Sequence, residues 1–485
     1  MVTFALLEAL ALTGAVYGGI LLWLHPVLTD WSEAFTILGQ ALTLSFCFIV
    51  GLYYNDLYDS RIVRSLSGFV PRLVQALGVA MLLLVGLYVL YPKARIAEGP
   101  LVSSVLVMVG LLLVLRAIWY RLMHHPAFAE RVLIVGAGPL ARRLIETIEA
   151  SPHAGYRIVG LLDDTEIVEG PPLRYPICGP LHSLVKIAES ARANRIIVAM
   201  NERRGRLPMD QLLEAEARGI PVEDGLRTYE QLTQKLAIET LTPSLLIFSG
   251  GFIETRFHAT ARRLVSLAVA AVGLVLTAPL MAIIALAIKL DSRGPALFVQ
   301  DRVGRWGRPF KLLKFRTMTP CEGATSEWVQ DNEDRVTRAG RLLRKFRLDE
   351  LPQFINIVRG DMNLVGPRPH PASNAALFAE RIPYYVLRTG IRPGVTGWAQ
   401  IRHGYANNLE EEIEKMRYDL YYIQHLSFWF DIRILIDTVK IVLFGRGSQV
   451  ADAYPSARLG GMEPVPAPSA GLGRRTLDAP PRARR

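Results

Sequence analysis

Leu264–Ile288 reads LVSLAVAAVGLVLTAPLMAIIALAI, a run without a single charge and with Pro279 near its middle. An apolar stretch of about 20 residues is long enough to cross the hydrocarbon core of a bilayer as a helix. Its flanks argue against a crossing. Arg256, Arg262 and Arg263 precede it, and Lys289, Arg293, Arg302, Arg305, Arg308 and Lys311 follow, so both ends ask for the same basic-rich cytoplasmic face. A proline inside a helix removes a backbone hydrogen bond and kinks it. The pattern predicts a re-entrant helix over 262–290 that enters one leaflet and returns, with an ordinary kinked span as the alternative.

Working back to the start of the chain, Phe4–Leu24 is apolar except for Glu8, while Ala34–Tyr54 and Leu73–Tyr91 carry no charge. Leu101–Leu115 continues through Trp119, with Arg116 near one end where a long side chain can snorkel to the head groups. Residues 1–122 are therefore expected to form a four-helix transmembrane region. Arg61, Arg64 and Arg72 in the second loop, and Arg121 and Arg131 after the fourth span, place both segments on the cytoplasmic side; Asp30 and Glu33 lie in the first loop, and Lys93 and Arg95 in the third oppose this orientation. Met1 is followed by no basic region and no clear small-residue cleavage site, which predicts a retained first span rather than a removable signal peptide.

Composition agrees with a membrane class. Hydrophobic residues make up 51% and charged residues 20% of 485 residues, which excludes disorder or a low-complexity fibre for most of the length. At about 150 residues per domain the chain has room for roughly three units. The net charge of +11 suits anionic lipids, nucleotide phosphates or nucleic acid equally well. Cys47, Cys178 and Cys321 are far apart, without a CxxC pair or a Cys/His cluster, so neither a disulfide framework nor a zinc site is encoded.

Between 130 and 256 short apolar runs alternate with helical periodicity. Arg131-Val-Leu-Ile-Val-Gly-Ala-Gly-Pro-Leu-Ala141 reads as strand, glycine turn and helix start; Ile158–Asp164 and Arg195–Ala199 read as strands, and 181–193 and 209–218 as helices. This is the pattern of a small doubly wound α/β domain. Gly136, Gly138 and Ala141 form a G-x-G-x-x-A turn whose glycines would let a pyrophosphate approach a helix N-terminus, with Asp163 or Asp164 reaching a ribose hydroxyl. A glycine turn that merely closes a strand-to-helix connection explains the same residues.

The chemistry concentrates in 294–404. In Arg347-Leu-Asp-Glu-Leu-Pro-Gln353, Pro352 suits a first helical turn and Gly360 a helix stop, so Asp349 and Glu350 sit at the start of a helix ending near Arg359. Two readings stand: the carboxylates cap the helix and complement its dipole, or, beside Arg344, Lys345 and Arg347, they combine a nucleophile with a magnesium ligand. Arg368 stands between two prolines, a rigid mount for bidentate phosphate binding. Arg392 opens a second Gly/Pro-rich loop with Trp398. Either loop alone could be a structural turn.

Lys314-Phe-Arg-Thr-Met318, Leu348-Asp-Glu-Leu-Pro-Gln353, Gly360-Asp-Met-Asn-Leu-Val-Gly-Pro-Arg-Pro369 and Pro393-Gly-Val-Thr-Gly-Trp-Ala-Gln400 together resemble the bacterial polyprenyl-phosphate sugar-1-phosphate transferases, the monotopic phosphoglycosyl transferases. The resemblance covers about 256–444, and the four spans and Rossmann-like domain ahead of it look like the large form that starts exopolysaccharide or O-antigen repeat units. It implies that Asp349 attacks the β-phosphorus of a UDP-sugar, expels UMP and holds the sugar phosphate until undecaprenyl phosphate takes it. Glu350 matches the partner that helps hold Mg²⁺ with Asp349, Arg368 matches a phosphate-binding arginine, and Lys314, Arg316 and Arg392 match substrate-facing positions. It further implies a homodimer and a bacterial inner-membrane location with the catalytic domain on the cytoplasmic face. The family's usual Ser-Pro helix break is replaced by Ala278-Pro279, where Thr277 could bond the freed carbonyl.

The expected fold is thus a membrane α-helical N-terminal bundle of four spans (1–122), a Rossmann-like α/β domain (130–256), and a mixed α/β monotopic catalytic domain (257–446) with a re-entrant helix and interfacial amphipathic helices, followed by a disordered basic tail (447–485). Phe428, Ile432, Leu435, Val439 and Val442 share one face of the last helix, which suits either the bilayer interface or the protein's own core. Two other functions are weighed against the transferase. An NAD-dependent nucleotide-sugar dehydratase or epimerase needs a Tyr-x-x-x-Lys pair that the α/β region lacks, and a non-catalytic scaffold has no need of the charged motifs. No nucleic-acid partner is expected, and no motif reads the sugar's stereochemistry.

Overall fold

The computed structural model describes residues 2–24, 31–58, 66–123, 129–151, 154–164, 174–200, 206–238, 241, 254–319, 335–404, 406 and 408–444. The expected tail, and Asp30, Arg61, Arg64 and Cys321, lie outside them. The chain divides into two compact units, Met1–Gly225 and Leu226–Arg485.

The first unit opens with four helices, α1 (Val2–Leu24), α2 (Trp31–Tyr54), α3 (Leu66–Leu90) and α4 (Glu98–Met123). α2, α3 and α4 are long and apolar enough to cross a membrane, and α1 is apolar over Leu7–Ile20. α1 packs on α2 and α4, and α2 on α3, around Leu12, Val16, Leu44, Phe48, Leu84 and Met108. Close approach needs small residues, as between helices in lipid generally: a Cβ on Gly51 would lie 2.4 Å from the Ala76 carbonyl oxygen. Leu82, Val89 and Leu106 point outward. One expectation is corrected here. Arg116 does not snorkel but turns inward, Nη2 lying 3.1 Å from Glu8 Oε2, with its guanidinium 5.0 Å over the Tyr58 ring. Two opposite charges inside an apolar bundle cost less paired than separately.

The same unit holds β1 (Glu130–Val135), α5 (Pro139–Ala150), β2 (Tyr156–Leu162), β3 (Ile177–Gly179), α6 (Leu184–Ser190), β4 (Arg195–Val198), α7 (Met209–Ala217) and β5 (Val222–Asp224). The strands form one parallel sheet in the order β3-β2-β1-β4-β5. β1 is central and its Val132–Val135 are fully buried, which is why it reads as an unbroken apolar run.

The second unit begins with α8 (Gly225–Thr233) and the segment after it, although the sequence suggests a boundary at 256. Leu236 N donates to the Arg417 carbonyl at 3.1 Å, Trp398 Nε1 donates to the Gln234 carbonyl at 3.0 Å, and Lys235 pairs with Glu414. These long-range bonds tie the segment to the rest of the second unit.

α9 (Arg256–Asp291) is one helix of 36 residues that contains Pro279. It is followed by the antiparallel hairpin β6 (Leu297–Val303) and β7 (Pro309–Phe315), then α10 (Arg338–Lys345), a 3₁₀ turn Leu348–Glu350, α11 (Gln353–Arg359) and β8 (Asn363–Val365). After these come α12 (Ala372–Arg381), α13 (Tyr385–Arg388), β9 (Gly394–Thr396), α14 (Trp398–Arg402), α15 (Leu409–Gln424) and α16 (Phe428–Phe444), with β8 and β9 paired in parallel. Both ends of α9 rest on this body. Near its start Arg262, 5% exposed, donates to Glu254 at 2.6 Å, Asp431 at 2.7 Å and the Val365 carbonyl at 3.2 Å. Near its end Ile284 and Ile288 pack on Phe315 and Leu343, and Asp291 Oδ2 accepts from Ala339 N at 3.2 Å. Leaving lysine and arginine out of 264–288 has its counterpart here: Val275, Leu276, Ile283 and Leu286 are exposed apolar side chains. Thr277 Oγ1 donates to the Gly273 carbonyl at 2.6 Å, so it does not serve the Val275 carbonyl that Pro279 frees; the i−4 carbonyl is the one within its reach. On α16, Leu435 packs into the core with Ala270 and Leu312, while Trp429, Ile436 and Val439 are exposed.

Candidate active site

Arg347, at φ +54°, turns the chain sharply between α10 and the 3₁₀ turn. Leu348 and Leu351 pack against Phe315 and Ile284, and this anchors the two carboxylates between them. Neither caps a helix: the turn and α11 have no side-chain cap bond. Glu350 is buried instead, with Oε1 2.9 Å from Arg368 Nη2, 3.8 Å from Lys314 Nζ and 3.9 Å from Arg347 Nη1. Lys314 reaches it because strand residues alternate faces: Leu313 and Phe315 are buried on one side of β7, leaving Lys314 for the other. Asp349 is half-buried, and no hydrogen bond or ion pair to its carboxylate occurs among the described residues.

These surroundings separate the two acids. Burial alone would raise Glu350, but Arg368, Lys314 and Arg347 hold it down at about 2. Asp349 is raised, first by burial and then by the charge of Glu350, against the pull of Lys314, Arg368 and Arg344. Lys314 is lowered to about 8 by burial and by Arg368, with Glu350 and Asp349 opposing. The result is a permanently ionised, clamped carboxylate beside a second, unclamped one, inside a basic pocket.

Of the residues singled out in the sequence, Lys314, Asp349, Glu350 and Arg368 converge. Arg316 is held elsewhere, donating to the Arg293 carbonyl at 2.7 Å and the Ser292 carbonyl at 2.8 Å at the end of α9. Arg392 donates to the Gly360 carbonyl at 3.2 Å. In the first unit, Gly136 takes φ +106°, and the Asp163 carboxylate accepts from Ala137 N at 2.7 Å; it braces the glycine turn. Gly138 precedes α5 with open space where a Cβ would stand. Among the described residues no group of three or more His, Cys, Asp or Glu is arranged to hold a metal ion.

A second layer was invisible in the sequence. Arg388 Nη2 donates to the Arg368 carbonyl at 2.6 Å and its Nε to Asp419 at 2.7 Å. His370 lies between the Tyr385 hydroxyl, 2.8 Å from Nδ1, and Glu412, 2.6 Å from Nε2. Burial and the charge of Arg388 lower His370 to about 3, so it is neutral at ordinary pH. No local spacing links Arg388 to Asp419; the packing of α13 on α15 brings them together.

Comparison with known proteins now bears on this arrangement. Residues 257–445 match the bacterial sugar transferase family and residues 53–213 match a CoA-binding domain family. A UDP-glucose:undecaprenyl-phosphate glucose-1-phosphate transferase of Escherichia coli is 30% identical over 412 residues, 84% of this chain and 81% of the relative. The chain belongs to the polyprenyl-phosphate sugar-1-phosphate transferases. A second relative of this transferase, the UDP-N-acetylgalactosamine-undecaprenyl-phosphate N-acetylgalactosaminephosphotransferase of Aeromonas hydrophila, is 39% identical over 233 residues, 47% of the chain and 54% of the relative, so the match spans about half of that protein. A UDP-glucose:undecaprenyl-phosphate glucose-1-phosphate transferase of Caulobacter vibrioides is 46% identical over 205 residues, 42% of the chain and 77% of the relative. The transferase is a membrane protein, and its matched catalytic region contains Lys314, Asp349, Glu350, Arg368 and Arg392.

Proposed function

We propose that the protein transfers a sugar 1-phosphate from a UDP-sugar to undecaprenyl phosphate through a covalent intermediate on Asp349. The observation that carries this is the unclamped Asp349 carboxylate beside a Glu350 held by Arg368, Lys314 and Arg347. An oxygen of Asp349 forms a bond to the β-phosphorus of the donor; the bond from that phosphorus to the bridging oxygen breaks, and its electron pair leaves with UMP. A phosphate oxygen of the lipid acceptor then attacks the same phosphorus, frees Asp349 and yields the polyprenyl diphosphosugar. Splitting the transfer lets a soluble donor and a membrane acceptor use one site in turn. Lys314 and Arg368 are placed to neutralise the phosphates during both steps.

Two carboxylates with donor phosphates and waters make a Mg²⁺ ligand set. The residues fit it: all three ion pairs of Glu350 among the described residues fall on Oε1, so its other oxygen and the Asp349 carboxylate would hold the ion. Bound Mg²⁺ would withdraw charge from the donor's diphosphate.

The membrane reading follows from α9. A straight helix of this length would span about 54 Å, well beyond the roughly 30 Å hydrocarbon core. β7 nevertheless serves both of its halves, Leu312 against Ala270 and Phe315 against Ile284 and Ile288. This favours re-entry into one leaflet, with the catalytic body on the cytoplasmic face of the inner membrane. The parallel sheet of the first unit has the order of a Rossmann-like domain.

The experiment is UMP release by the full chain in detergent, with undecaprenyl phosphate, Mg²⁺ and a panel of UDP-sugars headed by UDP-glucose and UDP-N-acetylgalactosamine. Wild type should release UMP with one donor, lose it on chelation, and, without acceptor, gain the mass of one sugar phosphate. The Asp349→Asn variant retaining full turnover would overturn the covalent reading.

A further inference from the structure

We propose that Arg263, Arg305 and Arg392 form a phosphate site at the membrane surface that receives the phosphate of the lipid acceptor before transfer; this rests on the transferase reading above. The three guanidinium groups gather on two neighbouring turns. Arg263 donates to the Ile357 carbonyl at 2.7 Å and the Met362 carbonyl at 2.9 Å, and Arg392 to the Gly360 carbonyl of the same turn at 3.2 Å. Arg305 donates to the Gly390 carbonyl at 3.2 Å, two residues before Arg392.

Backbone carbonyls orient these side chains but do not neutralise them. None of the three is within ion-pair distance of a carboxylate among the described residues, and the acids nearby are engaged: Asp361 accepts from Asn356 at 3.1 Å and Glu254 pairs with Arg262 at 2.6 Å. Burial and the charge of Arg392 lower the pKa of Arg305 against the opposing charge of Glu254. Each guanidinium has five N–H donors, so Arg305 and Arg392 keep most of theirs for a ligand. A dianionic phosphate monoester matches that fork geometry and charge.

The position points to a lipid as its source. Arg263 directly precedes Leu264, 61% exposed, where the apolar surface of α9 begins. Trp306, 63% exposed, lies 4.4 Å from the Arg305 guanidinium and 5.9 Å from that of Arg308, and tryptophan with arginine is the pairing that settles at head-group level. Gly304, next to Arg305, and Ile391 and Pro393, on either side of Arg392, line a small cavity together with Arg368, the arginine on Glu350. The proposed phosphate site thus adjoins, through these neighbours in the chain, the arginine that holds Glu350.

The test uses the full chain in lipid nanodiscs. Arg305→Gln should raise KM for undecaprenyl phosphate about tenfold and leave KM for the UDP-sugar within about twofold, the loss of one charge-assisted contact. Arg392→Lys, which keeps the charge, should fall between wild type and Arg305→Gln. A rise in donor KM instead would assign the site to the nucleotide and overturn the proposal, as would no change in either. Direct binding separates this from failure of the transferase reading. If wild type released no UMP at all, but bound fluorescent undecaprenyl phosphate about tenfold more tightly than Arg305→Gln did, the site would stand without the reaction. Equal binding of undecaprenyl phosphate and neutral undecaprenol would overturn it.

Discussion

The backbone carbonyl of Arg368 accepts a hydrogen bond from Arg388 Nη2 at 2.6 Å. The arginine that closes on Glu350 is thus gripped from behind through its main chain, between two prolines, while its side chain faces the carboxylate. Arg388 is itself buried and fixed by Asp419. Cation, loop and acid form a relay of position, so that the placement of Arg368 depends on a residue in α15.

Asp419→Asn should destabilise the second unit by about 3–5 kcal/mol, because it leaves the buried Arg388 charge without its counter-ion. Thermal unfolding in detergent checks this. Arg388→Lys keeps a charge for Asp419 but cannot span both Asp419 and the Arg368 carbonyl, so it should lower kcat more than stability.

Asp349→Asn and Glu350→Gln should separate chemistry from structure. The first removes a carboxylate that has no hydrogen-bond partner among the described residues, so unfolding should move by less than about 0.5 kcal/mol while turnover falls at least about 10³-fold. The second strips Arg368, Lys314 and Arg347 of their shared acid and should cost about 3–5 kcal/mol as well as activity. UMP release and thermal shift, measured on both variants, distinguish the two outcomes.

The pH profile of turnover should be bell-shaped. The proposed nucleophile Asp349 would have to be ionised, and burial with the Glu350 charge raises its pKa, so activity should fall on acidification at a pH above the ordinary aspartate range. In the role proposed for it Lys314 would have to be protonated, and its pKa is lowered to about 8, so activity should fall again as pH rises through about 8. Lys314→Arg, which stays charged, should remove the alkaline limb; a limb that persists would show that the charge of Lys314 is not what titrates.

Gly397→Ala should unfold more readily although its backbone is extended. A Cβ there would lie 2.2 Å from the Gly366 carbonyl oxygen, where the two Gly/Pro-rich loops pack main chain on main chain. Forcing them apart should cost about 1–3 kcal/mol, read as a lowered Tm, and shift Arg368 with it.

Much of this is legible in the amino-acid sequence. The charge-free runs around Phe48, Leu84 and Leu112 mark α2, α3 and α4, and Val132–Val135 marks a buried parallel strand, because these patterns depend on neighbours a few residues apart. Lys314, Asp349, Glu350 and Arg368 stood out through their short motifs. The inward turn of Arg116 toward Glu8 did not, nor did Arg388 with Asp419, Arg262 with Asp431, or the allegiance of 226–238 to the second unit.

Sequence by itself marked the long apolar helices α2, α3, α4 and α9 and the buried strand β1, since periodicity and hydropathy act over one or two turns of chain. Only the tertiary structure decided which charges meet. Burial makes an unpaired ion costly to keep, so Glu350, Arg262 and Arg388 take the partners that long-range packing brings within about 3 Å, and that choice clamps Glu350 while leaving the Asp349 carboxylate without a hydrogen-bond partner among the described residues.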